Sequence, residues 1–242
     1  MNIRSIKTHR VKTGESIVEL LDTYVKQVPE GSVLVVSSKI VALGENRVAS
    51  NRAVTKEELV EQESHLYLPL AHSSYETQLT IANNTLVAAA GIDESNTDAD
   101  FVLWPTDPKR TADTLRDYLK KRFAVSEVGV LITDSIVLPL RWGTIGISLG
   151  TSGFETLIDY VGQPDLYGRP FKVSQLSVSN GLAAAANLVM GEGTESTPFA
   201  VITDIPFVRF TDQKTEEPEM TIEEDLYAPF LQSVKWRKGR GV

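Results

Sequence analysis

The sequence predicts an α+β protein whose sheets are mixed but largely antiparallel, with helices interspersed. Strand-like runs cluster in hairpins, the clearest across Asn83-Asn84, rather than alternating one by one with helices. Helical patterning is confined to a few segments, of which Ser16 to Val28, Pro108 to Phe123 and Leu182 to Met190 are the strongest. No repeat or low-complexity linker divides the 242 residues, which suit one domain, or two interwoven subdomains, over 1–242. Residues 211–242, acidic and then basic, read as a C-terminal extension.

Ile3 to Val11 is expected to be extended. In Ser16 to Val28 the residues Ile17, Leu20, Leu21, Tyr24 and Val25 share one helical face. Ser32-Val33-Leu34-Val35-Val36 reads as a buried strand. Thr55-Lys56-Glu57-Glu58 has the spacing of a capping box, in which the hydroxyl and the second glutamate satisfy free amides, so a short helix starts there. Asn83-Asn84 is a hairpin turn because asparagine tolerates positive φ, and Thr85 to Ala90 follows as a strand. Pro108 to Phe123 turns Leu115, Tyr118 and Leu119 inward. Val128 to Thr133 is a strand ending at Asp134-Ser135. Gly143 to Phe154 alternates apolar and small residues, as a strand does where another backbone comes close. Asn180 is expected to cap the helix Leu182 to Met190, with Gly191 as its stop and Pro198 to Thr203 as the last strand.

Hydrophobic content of 42% and charged content of 23% are ordinary for a globular chain. The absence of cysteine excludes disulfides, thiolate metal sites and cysteine nucleophiles. A net charge of −8 argues against a general nucleic-acid binder, which needs a positive surface to displace counterions. No leader pattern opens the sequence, and no apolar run approaches the about 20 residues of a spanning helix, so a soluble cytoplasmic protein without a membrane partner is expected. Lys235, Arg237, Lys238 and Arg240 flank Trp236, after Glu216, Glu217, Glu219, Glu223, Glu224 and Asp225; this tail is either a solvated face or one that meets a phosphate or an acidic neighbour. Neither a Walker A loop nor a G-x-G-x-x-G turn occurs, and Ser152 in Gly150-Thr151-Ser152-Gly153 lacks the context of a hydrolase nucleophile. His9, His65 and His72 are too scattered for a zinc motif and read as structural or surface residues.

Oxygen-ligand chemistry remains. Asp93, inside Gly91-Ile92-Asp93-Glu94-Ser95-Asn96, and Asp134 each follow a strand-like run. Two carboxylates about 4 Å apart repel by on the order of 4 kcal/mol at an effective dielectric of about 20. Such a pair needs a shared proton or a cation between its members. Magnesium or manganese, which take carboxylates together with phosphate oxygens, give the simpler answer, and Ser135 and Glu192 can add oxygen ligands.

Five ordered blocks closely resemble the coenzyme F420-0:L-glutamate ligase family. They are Ser38-Lys39-Ile40-Val41 with Glu45 and Arg47; Ala90 to Asn96; Ile132-Thr133-Asp134-Ser135; Asp159-Tyr160-Val161-Gly162-Gln163-Pro164-Asp165-Leu166-Tyr167-Gly168-Arg169; and Ala183 to Gly193. The resemblance covers roughly residues 1–205. It implies an intertwined α+β homodimer with active sites near the subunit interface. The implied reaction is GTP-dependent: an acceptor carboxylate attacks the γ-phosphate, and the amine of L-glutamate opens the acyl phosphate to form an amide. Carried over by motif, Asp93 and Asp134 bind one divalent ion, and Ser135 and Glu192 bind a second. Ser38, Lys39, Asn96 and the segment Met190-Gly191-Glu192-Gly193-Thr194 to Thr197 contact the nucleotide, and Thr8 to Val11 aligns with a further nucleotide-contacting segment. Arg141 joins Asp93 and Asp134 as the third member of the catalytic set.

The chain departs from the family where substrate chemistry is expected. Leu138 stands in place of an arginine, Leu43 in place of a nucleotide-contacting lysine, Ala89 in place of an asparagine, and Asn180-Gly181 in place of an Asp-Glu pair. Leucine cannot make a paired contact to carboxylate or phosphate. Three functions compete: a ligase adding an amino acid, glutamate above all, to a different carboxylate such as a folate-like pterin; a true coenzyme F420-0:L-glutamate ligase; and a non-catalytic relative that binds nucleotide or metal.

Overall fold

The computed structural model describes residues 1–70, 75–213 and 220–241; His72, Glu216, Glu217 and Glu219 lie outside the described residues. In chain order the elements are β1 (Asn2–Ile6), α1 (Ile17–Tyr24), β2 (Ser32–Ser37), α2 (Ser38–Gly44), β3 (Val48–Ala49), α3 (Lys56–Glu63), β4 (Leu66–Tyr67), β5 (Leu79–Ala82) and β6 (Thr85–Ala88). They continue as β7 (Phe101–Val102), α4 (Pro108–Phe123), β8 (Val128–Val137), β9 (Thr144–Ser152), β10 (Leu157–Asp159), β11 (Gln175–Ser177), α5 (Val178–Met190), β12 (Phe199–Thr203), α6 (Ala228–Leu231) and β13 (Arg237–Lys238). Among the described residues no helix is long and apolar enough to cross a membrane.

A five-stranded sheet in the order β1-β12-β2-β8-β9 organises the chain. Its neighbours pair antiparallel except β2 and β8, which run parallel. The period-two rule explains how one strand serves two cores. Leu34 and Val36 pack with Leu20, Leu21, Leu115 and Leu119 from α1 and α4, whereas Val33 and Val35 pack with Leu182, Ala183 and Ala186 of α5. Each buried leucine or valine among these contributes on the order of 2 kcal/mol by leaving water. The close backbone approach expected in Gly143 to Phe154 is present. A Cβ on Gly146 would meet the Ala183 carbonyl of α5 at 2.5 Å, and one on Gly150 would meet Pro108 at the start of α4 at 2.6 Å. Glycine at these two points lets a helix lie directly on each side of β9.

A smaller sheet, β13-β4-β5-β6, stands beside the first. Asn83 and Asn84 turn its hairpin with φ of 44° and 52°. The basic tail is its edge: Arg237 pairs with Tyr67, Lys238 with Leu66, and the Arg240 guanidinium reaches Glu61 at 3.3 Å. Backbone pairing thus holds the tail, whose Lys235, Arg237, Lys238 and Arg240 are exposed, and one acidic neighbour, Glu61, stands beside Arg240.

Several boundaries differ from expectation for local reasons. The strand expected over Ile3 to Val11 stops at Ile6, since its partner β12 matches only Asn2 to Ile6. α1 begins after its Ser16 cap but ends at Tyr24, with Val25 and Val28 still buried beyond it. Pro29 disfavours a helical conformation at Val28, so the chain leaves the helix early without leaving the core. α5 starts at Val178, and its cap is Ser177, whose hydroxyl accepts the Asn180 N–H at 3.3 Å. Asn180 is thus not the cap; its side-chain oxygen accepts the Ser148 N–H at 2.9 Å and ties α5 to β9. Ser177→Ala is expected to cost about 1 kcal/mol in chemical denaturation. β8 continues to Val137, so Asp134 and Ser135 lie within a strand, past an irregularity in register at Ile132/Thr133, and not at a strand end.

Candidate active site

A cavity of about 440 Å³ opens between β8 and the end of α5. Its walls come from the loop Thr8 to Val11, the first turns of α2, the Asp93 to Thr97 turn, the middle of β8, and the segment Met190 to Pro198. Four stretches distant in sequence thus meet the strand that carries Asp134.

Asp93 is placed by an unusual turn. After β6 the backbone passes through Ala89, Ala90 and Gly91 at φ of 49°, 54° and 74°, then pairs with Val102 in an isolated bridge at Asp93 itself. Gly91 is required sterically: a Cβ there would stand 2.1 Å from Cε2 of Trp104. The Trp104 ring, lying against that glycine, donates its indole N–H to Asp134 Oδ2. Asp134 Oδ1 accepts the Ser135 N–H at 2.8 Å. Asp93 Oδ1 accepts the Ser95 N–H at 2.7 Å and its hydroxyl at 2.9 Å, while Oδ2 lies 2.6 Å from the Lys39 ammonium.

The two carboxylates differ in acidity because their surroundings differ. Burial pushes the Asp134 carboxyl up to about 6, and the like charge of Asp93 adds to the rise; the Trp104 indole, the Ser135 amide and Lys39 oppose it. Burial also works against the Asp93 charge, but Lys39 and the Ser95 donors outweigh it and hold that carboxyl below its usual range. Lys39 thus occupies the cationic role beside Asp93.

The other expected ligands form a pair of their own. The Ser135 hydroxyl donates to Glu192 Oε2 at 3.1 Å, and Asn187 donates to Oε1 at 2.7 Å. The turn following α5 already receives an anion: the Gly193 N–H donates to Glu195 Oε2 at 2.8 Å. Asn96, at φ 51°, donates its amide to the Gly193 carbonyl at 2.9 Å and joins two walls. Met190, Gly191, Glu192, Gly193 and Thr194 all line the cavity, as does Lys39.

Two expected site residues lie elsewhere. Ser38 is 3% exposed and packs behind the wall, because the first turn of α2 directs Ser37, Lys39, Ile40 and Leu43 to the cavity instead. Arg141 sits on the exposed β8–β9 turn and donates to the Leu140 carbonyl at 3.1 Å, since this hairpin runs outward past the rest of the sheet. Within one chain it does not line the cavity. Ser152 donates to Asp113 at 2.6 Å in the interior, consistent with its exclusion as a nucleophile. Sequence reasoning missed Trp104, whereas His9 and Arg10 fell within the Thr8 to Val11 segment and Glu195 within Met190 to Thr197. Trp104 had a signal in principle, since a glycine beside an acidic turn implies a close neighbour, though not which one.

Among the described residues no three histidine, aspartate or glutamate side chains gather into a metal cage. The donor set is two carboxylates, Asp93 and Asp134, and a separate Ser135–Glu192 pair. That set fits magnesium or manganese, which keep most of their coordination for phosphate oxygens and water.

Comparison with known proteins identifies the family. A family model described as F420-0:Gamma-glutamyl ligase matches residues 5–204. A coenzyme F420:L-glutamate ligase of Methanococcus maripaludis is 30% identical over 227 residues, covering 88% of this chain and 90% of that protein. The protein of that name from Methanopyrus kandleri is 30% identical over 210 residues, covering 79% and 82%. A third, from Archaeoglobus fulgidus, is 31% identical over 207 residues, again covering 79% and 82%. The chain belongs to the F420-0:gamma-glutamyl ligase family, whose members are ligases that form a carbon–nitrogen bond.

Proposed function

We propose that the protein is a GTP-dependent ligase that joins L-glutamate to a carboxylate on a small-molecule acceptor, through an acyl phosphate, in a homodimer. The observation that carries this reading is the meeting of Asp93, Asp134, Ser135 and Glu192 with the amide-lined Gly191–Gly193 turn in one cavity. Asp93 and Asp134 would hold one magnesium or manganese ion, and Ser135 and Glu192 a second. Bound there, such ions neutralise the transferring phosphoryl group. Trp104 and Lys39 hold the two aspartates in place, and a phosphate oxygen would take the Gly193 N–H from Glu195, the carboxylate to which it donates in this structure. Leu140, Trp142, Leu166 and Tyr167 expose apolar surface on two projecting segments, which supports a second copy as partner.

The acceptor is proposed to differ from coenzyme F420-0. Leu43 lines the cavity at 2% exposure and puts hydrocarbon where the resemblance implies a nucleotide-contacting lysine, and Leu138 does the same for an arginine. The test is mass-spectrometric detection of glutamate adducts across carboxylate acceptors, folate-like pterins and coenzyme F420-0 included, with GTP and either ion. Absence of any GTP- and glutamate-dependent adduct, alongside tight GTP binding, would instead establish a binding module. Leu43→Lys with Leu138→Arg is expected to confer turnover of coenzyme F420-0 that the native chain lacks. Native turnover of that acceptor at full rate would identify the chain as a true coenzyme F420-0:L-glutamate ligase.

A further inference from the structure

One short run of chain reaches both aspartates of the site. Val102 exchanges backbone hydrogen bonds with Asp93, at 2.9 Å and 2.8 Å. Two residues further on, Trp104 donates its indole N–H to Asp134. Phe101 to Trp104 therefore sets the placement of the two carboxylates relative to each other, one through its backbone and one through a side chain. Whatever fixes this run fixes the pair.

Arg47 grips the run from its other edge. The Leu103 N–H donates to the Arg47 carbonyl at 3.0 Å, and the next residue, Val48, pairs with Val102. The Arg47 side chain then turns back on the same run, where its Nε donates to the Trp104 carbonyl at 3.1 Å. Its Nη2 pairs with Glu63, the last residue of α3. These two side chains are 27% and 23% exposed, so water and salt screen their attraction only partly. Neither lines the cavity.

Glu63 has a fixed seat of its own. The C-terminal tail is bonded along the end of α3, where the Arg240 N–H donates to the Glu61 carbonyl at 2.8 Å and the Gly241 N–H to the Ser64 carbonyl at 3.0 Å. The residue type at position 47 matters for the same reason. A planar guanidinium serves a carbonyl through Nε and a carboxylate through Nη2 at once, whereas an ammonium is a single point of charge on a flexible stem.

We infer that Arg47, held by Glu63, is the positioning residue of the carboxylate pair: it fixes the run Phe101 to Trp104, which in turn holds Asp93 and Asp134 in the arrangement that receives a shared cation. The inference rests on the ligase reading, in which the two aspartates bind one magnesium or manganese ion.

Two measurements on the full chain test it together: titration with manganese alone, read by electron paramagnetic resonance, and the indole N–H resonances of the metal-free protein. The chain has three tryptophans, and Trp104→Phe identifies the signal of Trp104. Arg47→Gln is expected to lower manganese affinity about tenfold, the scale of lost support for a metal ligand, and to move the Trp104 indole N–H upfield as its bond to Asp134 weakens. Arg47→Lys should recover part of both. Glu63→Gln keeps the shape of its side chain and loses only the charge; it should produce the same two changes at severalfold size, and it serves where Arg47→Gln does not fold. Ser177→Ala, which loosens α5 at the end remote from the cavity, should produce neither. An unmoved indole signal or native manganese affinity in both Arg47→Gln and Glu63→Gln, or no manganese binding by the native chain, would overturn the inference. Both expected changes without a GTP- and glutamate-dependent adduct from any acceptor would overturn the ligase reading instead.

Discussion

Asp134→Asn is expected to abolish metal-dependent GTP turnover, by on the order of a thousandfold, while leaving the fold intact. The amide keeps an oxygen for the Trp104 indole or the Ser135 amide but loses the charge that would hold an ion. The same substitution has a signature in stability. The Asp134 carboxyl titrates near 6 in the folded chain against 3.8 when unperturbed, so the folded state binds the extra proton between those values. Stability from this group is therefore full below about 4 and falls as pH rises to about 6, the reverse of an ion-paired aspartate. Removing the group removes that fall. Thermal unfolding without metal should show Asp134→Asn gaining on the native chain as pH increases from 4 to 7. Native affinity for manganese should rise over the same window, because ion and proton compete for one oxygen pair. Full turnover by Asp134→Asn, or a Tm difference independent of pH, would sink this assignment.

Gly91→Ala should be strongly damaging to both the fold and the site. It places a methyl group 2.1 Å from the Trp104 ring at a φ of 74°, so both the backbone turn and the ring must move. The expected loss is about 3 kcal/mol, combining left-handed strain with overpacking. Displacing Trp104 withdraws its indole from Asp134, so the carboxyl should become still less acidic and manganese affinity at pH 6 should drop with stability. Gly143→Ala is the control: its φ of 87° is equally left-handed, but a Cβ there meets nothing within 4 Å. It should carry the backbone cost alone and leave metal affinity unchanged. Equal effects of the two substitutions, read by near-UV circular dichroism and metal titration, would contradict the role given to Trp104.

Features governed by neighbours in sequence were legible. Thr55 and Glu58 form the capping box, Asn83-Asn84 turns its hairpin, and Pro108 to Phe123 is a helix between those residues. Asp93, Asp134 and Glu192 were assembled by ordered motifs and not by physics; nothing in local pattern says that 40 and 57 residues of intervening chain close on one cavity. The cap of α5 was misplaced because Ser177 and Asn180 are both good caps, and the choice was made by the Asn180 contact with β9, a tertiary event. Trp104 reads as a plain core aromatic until the Gly91 turn brings its edge to Asp134. His9 read as a structural or surface residue because Tyr24, the partner that defines it, is brought to it by folding.

The register irregularity in the β8–β9 hairpin has a chemical outcome. Ile132 faces Gly150, yet Thr133 faces Ser148, so Leu149 is the extra residue. Directly opposed residues point to the same side of a sheet, and one inserted residue exchanges the two sides for everything beyond it. With the insertion, Ile147 lies across from Asp134; in unbroken register Ser148 would, offering a hydroxyl where there is now hydrocarbon. Ile136, Ile147 and Leu149 accordingly join Trp104 in the apolar cluster beside the carboxylate. A single residue's offset in strand pairing thus acts as a tuning element: it dries one oxygen pair, keeps it protonated in mildly acidic water, and makes its readiness for a cation a function of the acidity around it.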